Sequence, residues 1–390
     1  MEKYKISPNF NSKLTSIIFE LESIRNRFLM GDTPPWLFYD LKNTLHLLES
    51  LNSARIEGNH TTLLEVMNEA TRDKNRITDN NKATADNDDA KVVDELTEIL
   101  NIQEAIRFIE ENLQEGDKIT ANFIRELHAT VVKGLKRDGS STPGVFRTKD
   151  VRISKSKCVV SSPQAINGDI IGLIDYINDE HEEKEDIIRI ACAHHRFAQI
   201  HPFDNGNGRT ARLITYAMLV KYGFLKKKKT ILNPSSVFCM DRGKYYEMLG
   251  LADTGLADNI EKWCEYVAEG ILEEMKKMFK LLDRDFAVKN LIIPAIKESK
   301  NDGHLSEKEY QILMIATEKN IIQAADVVGL FGVTPSDKVK CSRFLAEMVE
   351  KGLLLRPPQI SKKYVLRFFN KNLLSYVIKK MDENRMINEG

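Results

Sequence analysis

The chain contains no long apolar run. Nothing in it approaches the roughly 20 consecutive apolar residues that a membrane-spanning helix needs, so no membrane role is expected. It has no excess of charge either. Its 57 basic and 57 acidic side chains cancel, which argues against a protein coated in nucleic acid but leaves room for one basic face. Cysteine pairs are missing. Cys158, Cys192, Cys239, Cys264 and Cys341 are odd in number and scattered, with no CxxC spacing. Neither a zinc site nor a disulfide framework is expected, and a reducing compartment fits best. Met1–Lys5 leads into polar residues with no apolar segment behind it, so no signal peptide is expected and the cytoplasm is the expected location. Repeats and low-complexity tracts are also missing, apart from the Asn/Asp-rich stretch Asp73–Asp89, which reads as a loop.

Strand-like runs are few, and helical spacing dominates what remains. Leu14, Ile17, Ile18, Leu21 and Ile24 form one stripe, and Leu41, Leu45, Leu48 and Leu51 another. The pattern predicts further helices over Glu185–His201, over Gly208–Tyr222 closed by Gly223, and from about Ile260 to Phe286. Arg147–Ile153 and Cys158–Val160 predict a short hairpin after the turn Ser140–Gly144. With 390 residues, two or three domains are expected. Pro294–Gly303 reads as a boundary. Beyond it, helices are expected at Ser306–Glu318, Ile321–Phe331 and Pro335–Lys351, then strands at Leu353–Arg356 and Tyr364–Phe368. Three helices followed by two strands is the order of a winged helix. The fold class read from the pattern is mainly α, with a short β-hairpin and a C-terminal winged-helix-like domain. The expected divisions are 1–110, 111–290 and 300–375.

One stretch carries most of the chemistry: His201-Pro202-Phe203-Asp204-Asn205-Gly206-Asn207-Gly208-Arg209-Thr210-Ala211-Arg212. His201 titrates near neutral pH and can accept a hydroxyl proton. Gly206 and Gly208 let the backbone bend close to a ligand. They precede a helix whose first N–H groups lack partners and carry the positive end of the helix dipole, so phosphate is a natural occupant. Asn207 offers an amide donor. Arg209 and Arg212, three apart, share a helical face and present guanidinium forks suited to phosphate oxygens. Pro202 and Phe203 would stiffen and anchor the loop. The combination describes a kit for handling a polyphosphate.

This stretch resembles the signature of the Fic family, H-x-F-x-(D/E)-G-N-G-R-x-x-R, at every position but one. The resemblance implies a mostly helical core that transfers AMP from ATP to a Ser, Thr or Tyr hydroxyl of a target protein. His201 would deprotonate that hydroxyl, and its oxygen would attack the α-phosphorus and expel pyrophosphate. Gly206–Gly208 would hold the phosphates, Asn207 and Arg209 would contact them, and Arg212 would face the γ-phosphate. The departure is Asn205, at the position of the family's Mg²⁺-binding carboxylate. An amide oxygen lacks the negative charge, so weaker metal binding is expected. Gly208 stands where a phosphorylating branch carries Lys, which favours adenylyl transfer. Val151, Arg152 and Ile153 resemble the flap that holds a target segment by strand addition; an ordinary edge hairpin is the other reading. Tyr245 and Tyr246 resemble the segment closing over adenine, although aromatics at that spacing also suit a core. His194 and Phe197 read as core packing.

Ser53-Ala54-Arg55-Ile56-Glu57-Gly58 resembles the family's inhibitory motif, (S/T)-x-x-x-E-(G/N). Ser53 and Glu57, four apart, share a helical face. The resemblance implies that Glu57 pairs with Arg212, takes the space of the γ-phosphate and leaves ATP misaligned, with Ser53 orienting the motif. The leading expectation is therefore an autoinhibited protein adenylyltransferase that uses ATP and Mg²⁺. Two alternatives are a deAMPylating enzyme and a nucleotide-responsive DNA-binding regulator. In the C-terminal part, Lys338, Lys340, Arg343, Lys362 and Lys363 fit a nucleic-acid surface, while Asp337, Glu347 and Glu350 dilute it. Contact with DNA and contact with protein both stay open there.

Overall fold

The computed structural model describes residues 2–26, 33–63, 65–66, 87–153, 158–224, 232, 234–332, 334–357 and 362–387. The chain divides into two compact units. The first comprises residues 1–29, 46–61 and 83–276, and the second 30–45, 62–82 and 277–390. No helix among the described residues is long and apolar enough to cross a membrane.

The first unit is helical. Its elements are α1 (Lys13–Asn26), the second half of α2 (Pro35–Glu57), α3 (Asn87–Asn112), α4 (Ala121–Val131), α5 (Ile166–Asn178), α6 (Asp186–Ile200) and α7 (Asn207–Lys221). They are followed by α8 (Pro234–Cys239), α9 (Arg242–Ala252) and most of α10 (Ala257–Leu282). Helix α7 lies at the centre. Every residue in it except Gly208 is buried, because it packs against α3, α4, α6 and α8. A helix covered on all sides shows little amphipathic stripe, and this one places the paired arginines inside the protein. Its start and the end of α6 fall within a residue of the sequence expectation. Most of Asp73–Asp89 lies outside the described residues, but Asn87 already opens α3.

The single helix expected over Ile260–Phe286 is interrupted. Asp283 leaves the helical conformation, and its side chain accepts the Phe286 N–H at 3.0 Å. That cap starts the short α11 (Arg284–Phe286), followed by a π-helical turn (Ala287–Ile292) and α12 (Ile293–Asn301).

The second unit continues with α13 (Glu307–Lys319), β1 (Ile322–Gln323), α14 (Ala324–Val327), α15 (Pro335–Glu350), β2 (Leu354–Leu355), β3 (Lys363–Leu366) and α16 (Leu374–Glu383). Ser306 and Glu309 form a reciprocal capping box at the start of α13, and Thr334 and Asp337 another at α15. The expected helix over Ile321–Phe331 is instead a strand followed by a short helix. Asn320 takes φ 63° and turns the chain out of α13. Ile322 and Gln323 then pair with Tyr364 and Lys363. The sheet runs β1-β3-β2, antiparallel throughout, with Leu354 opposite Leu366. The expected wing tip, Pro358–Ser361, lies outside the described residues. Asp40, from the first half of α2, accepts the N–H groups of Phe368 at 2.7 Å and Phe369 at 3.1 Å.

The stretch expected to form the flap has no assigned strand among its described residues, and Ser154–Lys157 lie outside them. Val151–Ile153 and Cys158–Val160 run as irregular chain. Instead of a ladder at the root, the side chain of Arg147 takes carbonyls from both arms, Lys149 O at 2.8 Å and Ser161 O at 2.5 Å.

Candidate active site

Helix α6 ends because His201 adopts a left-handed conformation, φ 49° and ψ 58°. For a non-glycine residue this is an uncommon backbone state, found where surrounding contacts hold it. Here several contacts do so. Phe203 is fully buried, stacks face to face on His128 at 3.6 Å, and packs on Phe146 and Phe197. The His128 ring accepts the Gly144 N–H on Nδ1 at 2.9 Å, which leaves the proton on Nε2 to donate to the Asn205 carbonyl at 3.0 Å. Burial pushes the His128 pKa down to about 4, so the ring is a neutral strut between α4 and the loop. The His201 pKa is also lowered, chiefly by burial. The charge of Arg147 adds to the effect, while a hydrogen bond to the Ala198 backbone and the charge of Glu57 oppose it. At neutral pH the ring is therefore unprotonated, as a general base must be.

Gly206 closes the loop at φ 72°, and a Cβ there would collide with Val132. Its N–H is taken by Asn205 Oδ1 at 2.8 Å. The Asn207 amide does not project outward: Oδ1 accepts the Phe203 N–H and Nδ2 donates to the Phe203 carbonyl, both at 2.9 Å. Asn207 therefore fixes the shape of the loop, using one of its two amide N–H donors. The first N–H groups of α7 complete an anion-receptive start to the helix.

The two arginines of α7 have different partners. Arg209, 1% exposed, forms an ion pair with Glu98 at 2.9 Å and donates to the Asp138 carbonyl at 2.7 Å. It is committed to α3 and to the loop before the flap, not aimed at the helix start as the sequence suggested. Arg212, also buried, faces α2. Its Nε donates to Ser53 Oγ at 2.9 Å, and its Nη2 donates to the Ser53 carbonyl at 2.9 Å and to Glu57 Oε1 at 2.8 Å. A Cβ built on Gly208 would overlap Glu57 Oε1. The carboxylate thus lies directly over the first turn of α7, where a phosphate would bind. Burial alone would raise the Glu57 pKa, but Arg212, with Arg209 and Arg242 adding, outweighs it and holds the carboxyl below the usual range.

Tyr245 and Tyr246 separate. Tyr245 is in the core and donates to His194 Nε2 at 2.9 Å, while His194 Nδ1 donates to Thr215 Oγ1 at 2.8 Å. Burial pushes His194 down to about 3. Tyr245 is thus part of a buried chain joining α9, α6 and α7, and only Tyr246, 46% exposed, presents a ring to a ligand. Asn205, the expected metal ligand, is also committed: Oδ1 holds the Gly206 N–H, and Nδ2 donates to the Gly139 carbonyl at 3.3 Å. Neighbouring Asp204 accepts from Ser140 Oγ at 2.7 Å and from the Asn205 N–H at 3.0 Å. No cluster of three or more His, Cys, Asp or Glu suited to a metal occurs among the described residues. A Mg²⁺ that arrives with a nucleotide needs only one or two protein oxygens beside the phosphates, and Asn205 Oδ1 would be the oxygen offered to it.

Sequence reasoning passed over His128 and placed Arg147 only at the approach to the flap. The Arg147 guanidinium reaches the His201 carbonyl at 2.7 Å as well as both flap arms.

Residues 118–219 match the sequence model of the Fic/DOC family. Protein adenylyltransferase fic-1 of Caenorhabditis elegans is 30% identical over 185 residues, covering 46% of this chain and 33% of that protein. Protein adenylyltransferase Fic of Drosophila virilis is 29% identical over 225 residues, covering 56% of this chain and 41% of that protein. The chain thus spans about a third to two fifths of the length of these curated relatives. Among solved structures, a Fic family protein from Desulfovibrio desulfuricans G20 superimposes with a TM-score of 0.55 at 17% identity, over 93% of this chain and 98% of that one. C. elegans Fic-1 gives 0.52 at 22% identity, over 68% and 71%. At these identities the structures establish a shared fold.

Proposed function

From the Fic/DOC-family domain in residues 118–219 we propose that the chain is an autoinhibited protein adenylyltransferase, moving AMP from ATP to a hydroxyl of a target protein. In this reading unprotonated His201 takes the hydroxyl proton. The oxygen attacks the α-phosphorus in line, the bond to the β-phosphate oxygen breaks, and pyrophosphate leaves. The backbone of Gly206–Gly208 and the N-terminus of α7 hold the phosphates. Arg212 takes the terminal phosphate when Glu57 withdraws, and Tyr246 is the ring available to the base. Val151, Arg152 and Ile153 guide the target segment. The curated relatives named as adenylyltransferases support this reading. A reducing cytoplasmic setting suits the five unbridged cysteines.

The observation that carries the brake is the 2.8 Å pair of Glu57 with Arg212 over Gly208. While it stands, the Arg212 guanidinium is occupied and the terminal phosphate has no seat beside it. Misalignment of the α-phosphorus by about 1 Å is enough to cost about a hundredfold in rate. Glu57→Gly is expected to raise labelling of a lysate protein pool from α-labelled ATP by at least about tenfold. His201→Ala in that background is expected to abolish it. Equal labelling by wild type and Glu57→Gly would remove the brake from the account.

For the C-terminal unit we propose a winged-helix reading. The support is β1, which lies between the first two helices and pairs with β3. Exposed Lys338, Lys340 and Arg343 on α15, with Lys362 and Lys363 at β3, suit phosphate contacts. Mobility shift of duplex DNA by the full chain is expected to weaken steeply with salt. A salt-independent shift, or none, would assign the unit to protein contacts instead.

A further inference from the structure

We propose that Arg147 is a positioning residue that registers the flap against the base loop, so that a hydroxyl held by the flap meets His201. The functional consequence rests on the adenylyl-transfer reading; the geometry does not. Arg147 is buried, and its guanidinium spends its hydrogen bonds on backbone carbonyls. Nε donates to His201 O at 2.7 Å, Nη1 to Lys149 O at 2.8 Å, and Nη2 to Ser161 O at 2.5 Å and Ile200 O at 3.4 Å. Its own N–H donates to the Pro202 carbonyl at 2.9 Å.

Each acceptor has a meaning. Ile200 and His201 carry carbonyls at the C-terminal end of α6 that have no partner within the helix and bear the negative end of its dipole. A cation at that end compensates both. Lys149 and Ser161 belong to the two flap arms. Ser161 in turn is tied to α6 by its N–H to the Gln199 carbonyl at 3.3 Å, and its hydroxyl donates to Asp169. One rigid side chain therefore spans the parts that must converge in the reaction: the left-handed residue bearing the base and both roots of the segment expected to deliver the target. The planar fork is needed for this. A lysine ammonium is a compact charge that cannot address carbonyls on three sides of one plane.

The guanidinium also faces the base electrostatically, which separates positioning from mere scaffolding. The charged groups acting on His201 are Arg147, which disfavours its protonation, and Glu57, which favours it. Removing the Arg147 charge must therefore move the His201 titration upward.

The test uses the full chain in three measurements. In the wild type, the Arg147 Nε–H is expected to exchange with solvent slowly by NMR; exchange at the free rate would overturn the clamp without any variant. In Arg147→Gln, the His201 ring is expected to titrate at higher pH than in the parent; an unmoved titration overturns the contact. In the Glu57→Gly background, Arg147→Lys is expected to lower the maximal labelling rate by about 10- to 100-fold. Its ATP affinity should stay within about threefold of the parent, since no nucleotide-facing group has been touched. A labelling rate also within threefold overturns the positioning role. If Glu57→Gly alone labels nothing, the adenylyl-transfer reading fails, and exchange and titration still decide whether Arg147 holds the base loop.

Discussion

Gly208 and Glu57 show how much a single residue decides here. The absent side chain at 208 leaves room for the Glu57 carboxylate over the first turn of α7, and Arg212 holds it there. One turn and two turns earlier on α2, Ser53 and Glu49 lie along the same face. Glu49 accepts the Ser235 N–H at 2.9 Å, and burial pushes its carboxyl up to about 7. The sign of the linkage follows. The folded pKa lies above the ordinary 4.5, so the destabilisation is absent below about pH 4.5, builds as pH rises toward 7 and is complete above it. Glu49→Gln is expected to raise unfolding stability by roughly 3 kcal/mol at pH 8 and to leave it unchanged at pH 4. Denaturant titrations at the two pH values check this, and an equal effect at both would remove the shifted carboxyl. At this scale the sequence pointed to His201, Arg212, Ser53 and Glu57 through its resemblance to the Fic signature and inhibitory motif, and the structure brings Ser53 and Glu57 onto Arg212. The sequence did not disclose His128, nor the contacts that Arg147 makes from the approach to the flap. Their partners are backbone carbonyls and N–H groups brought close only by the fold, and no spacing along the chain encodes that.

Among the elements, α7 was legible in extent but not in surroundings. Two arginines three apart share a face in any helix, yet burial on all sides sends Arg209 toward α3 and Arg212 toward α2. The Arg209–Glu98 pair is buried on both sides, with side chains 2% and 7% exposed. Glu98 also accepts from Asn59 Nδ2 at 2.8 Å, two residues beyond Glu57. This pair fastens the chain just after Glu57 to the helix whose first turn Glu57 overlies. Deleting one partner strands a buried charge, so Glu98→Ala is expected to cost about 3 to 5 kcal/mol. Chemical unfolding checks this, and a loss under about 1 kcal/mol would mean that Arg209 finds solvent. The expected helix over Ile321–Phe331 failed for a related reason. Periodicity cannot show that Asn320 turns left-handed and releases two residues to a strand whose partner lies about forty positions away.

For the molecule as a whole, composition and helical spacing were enough to read a mainly α protein, and one twelve-residue motif carries the chemistry proposed for it. The arrangement adds the order of control. Ser53 and Glu57, within the segment His46–Thr61, belong to the same compact unit as helices α6 and α7, so the proposed brake lies within the body it would regulate. In the proposed account, release is a local withdrawal of Glu57. The measurement that tests this most directly is incorporation of AMP from α-labelled ATP into a protein pool by wild type, Glu57→Gly and Glu57→Gly/His201→Ala. The account predicts weak labelling, strong labelling and none. Labelling that is equal in the first two, or that survives loss of His201, would contradict it.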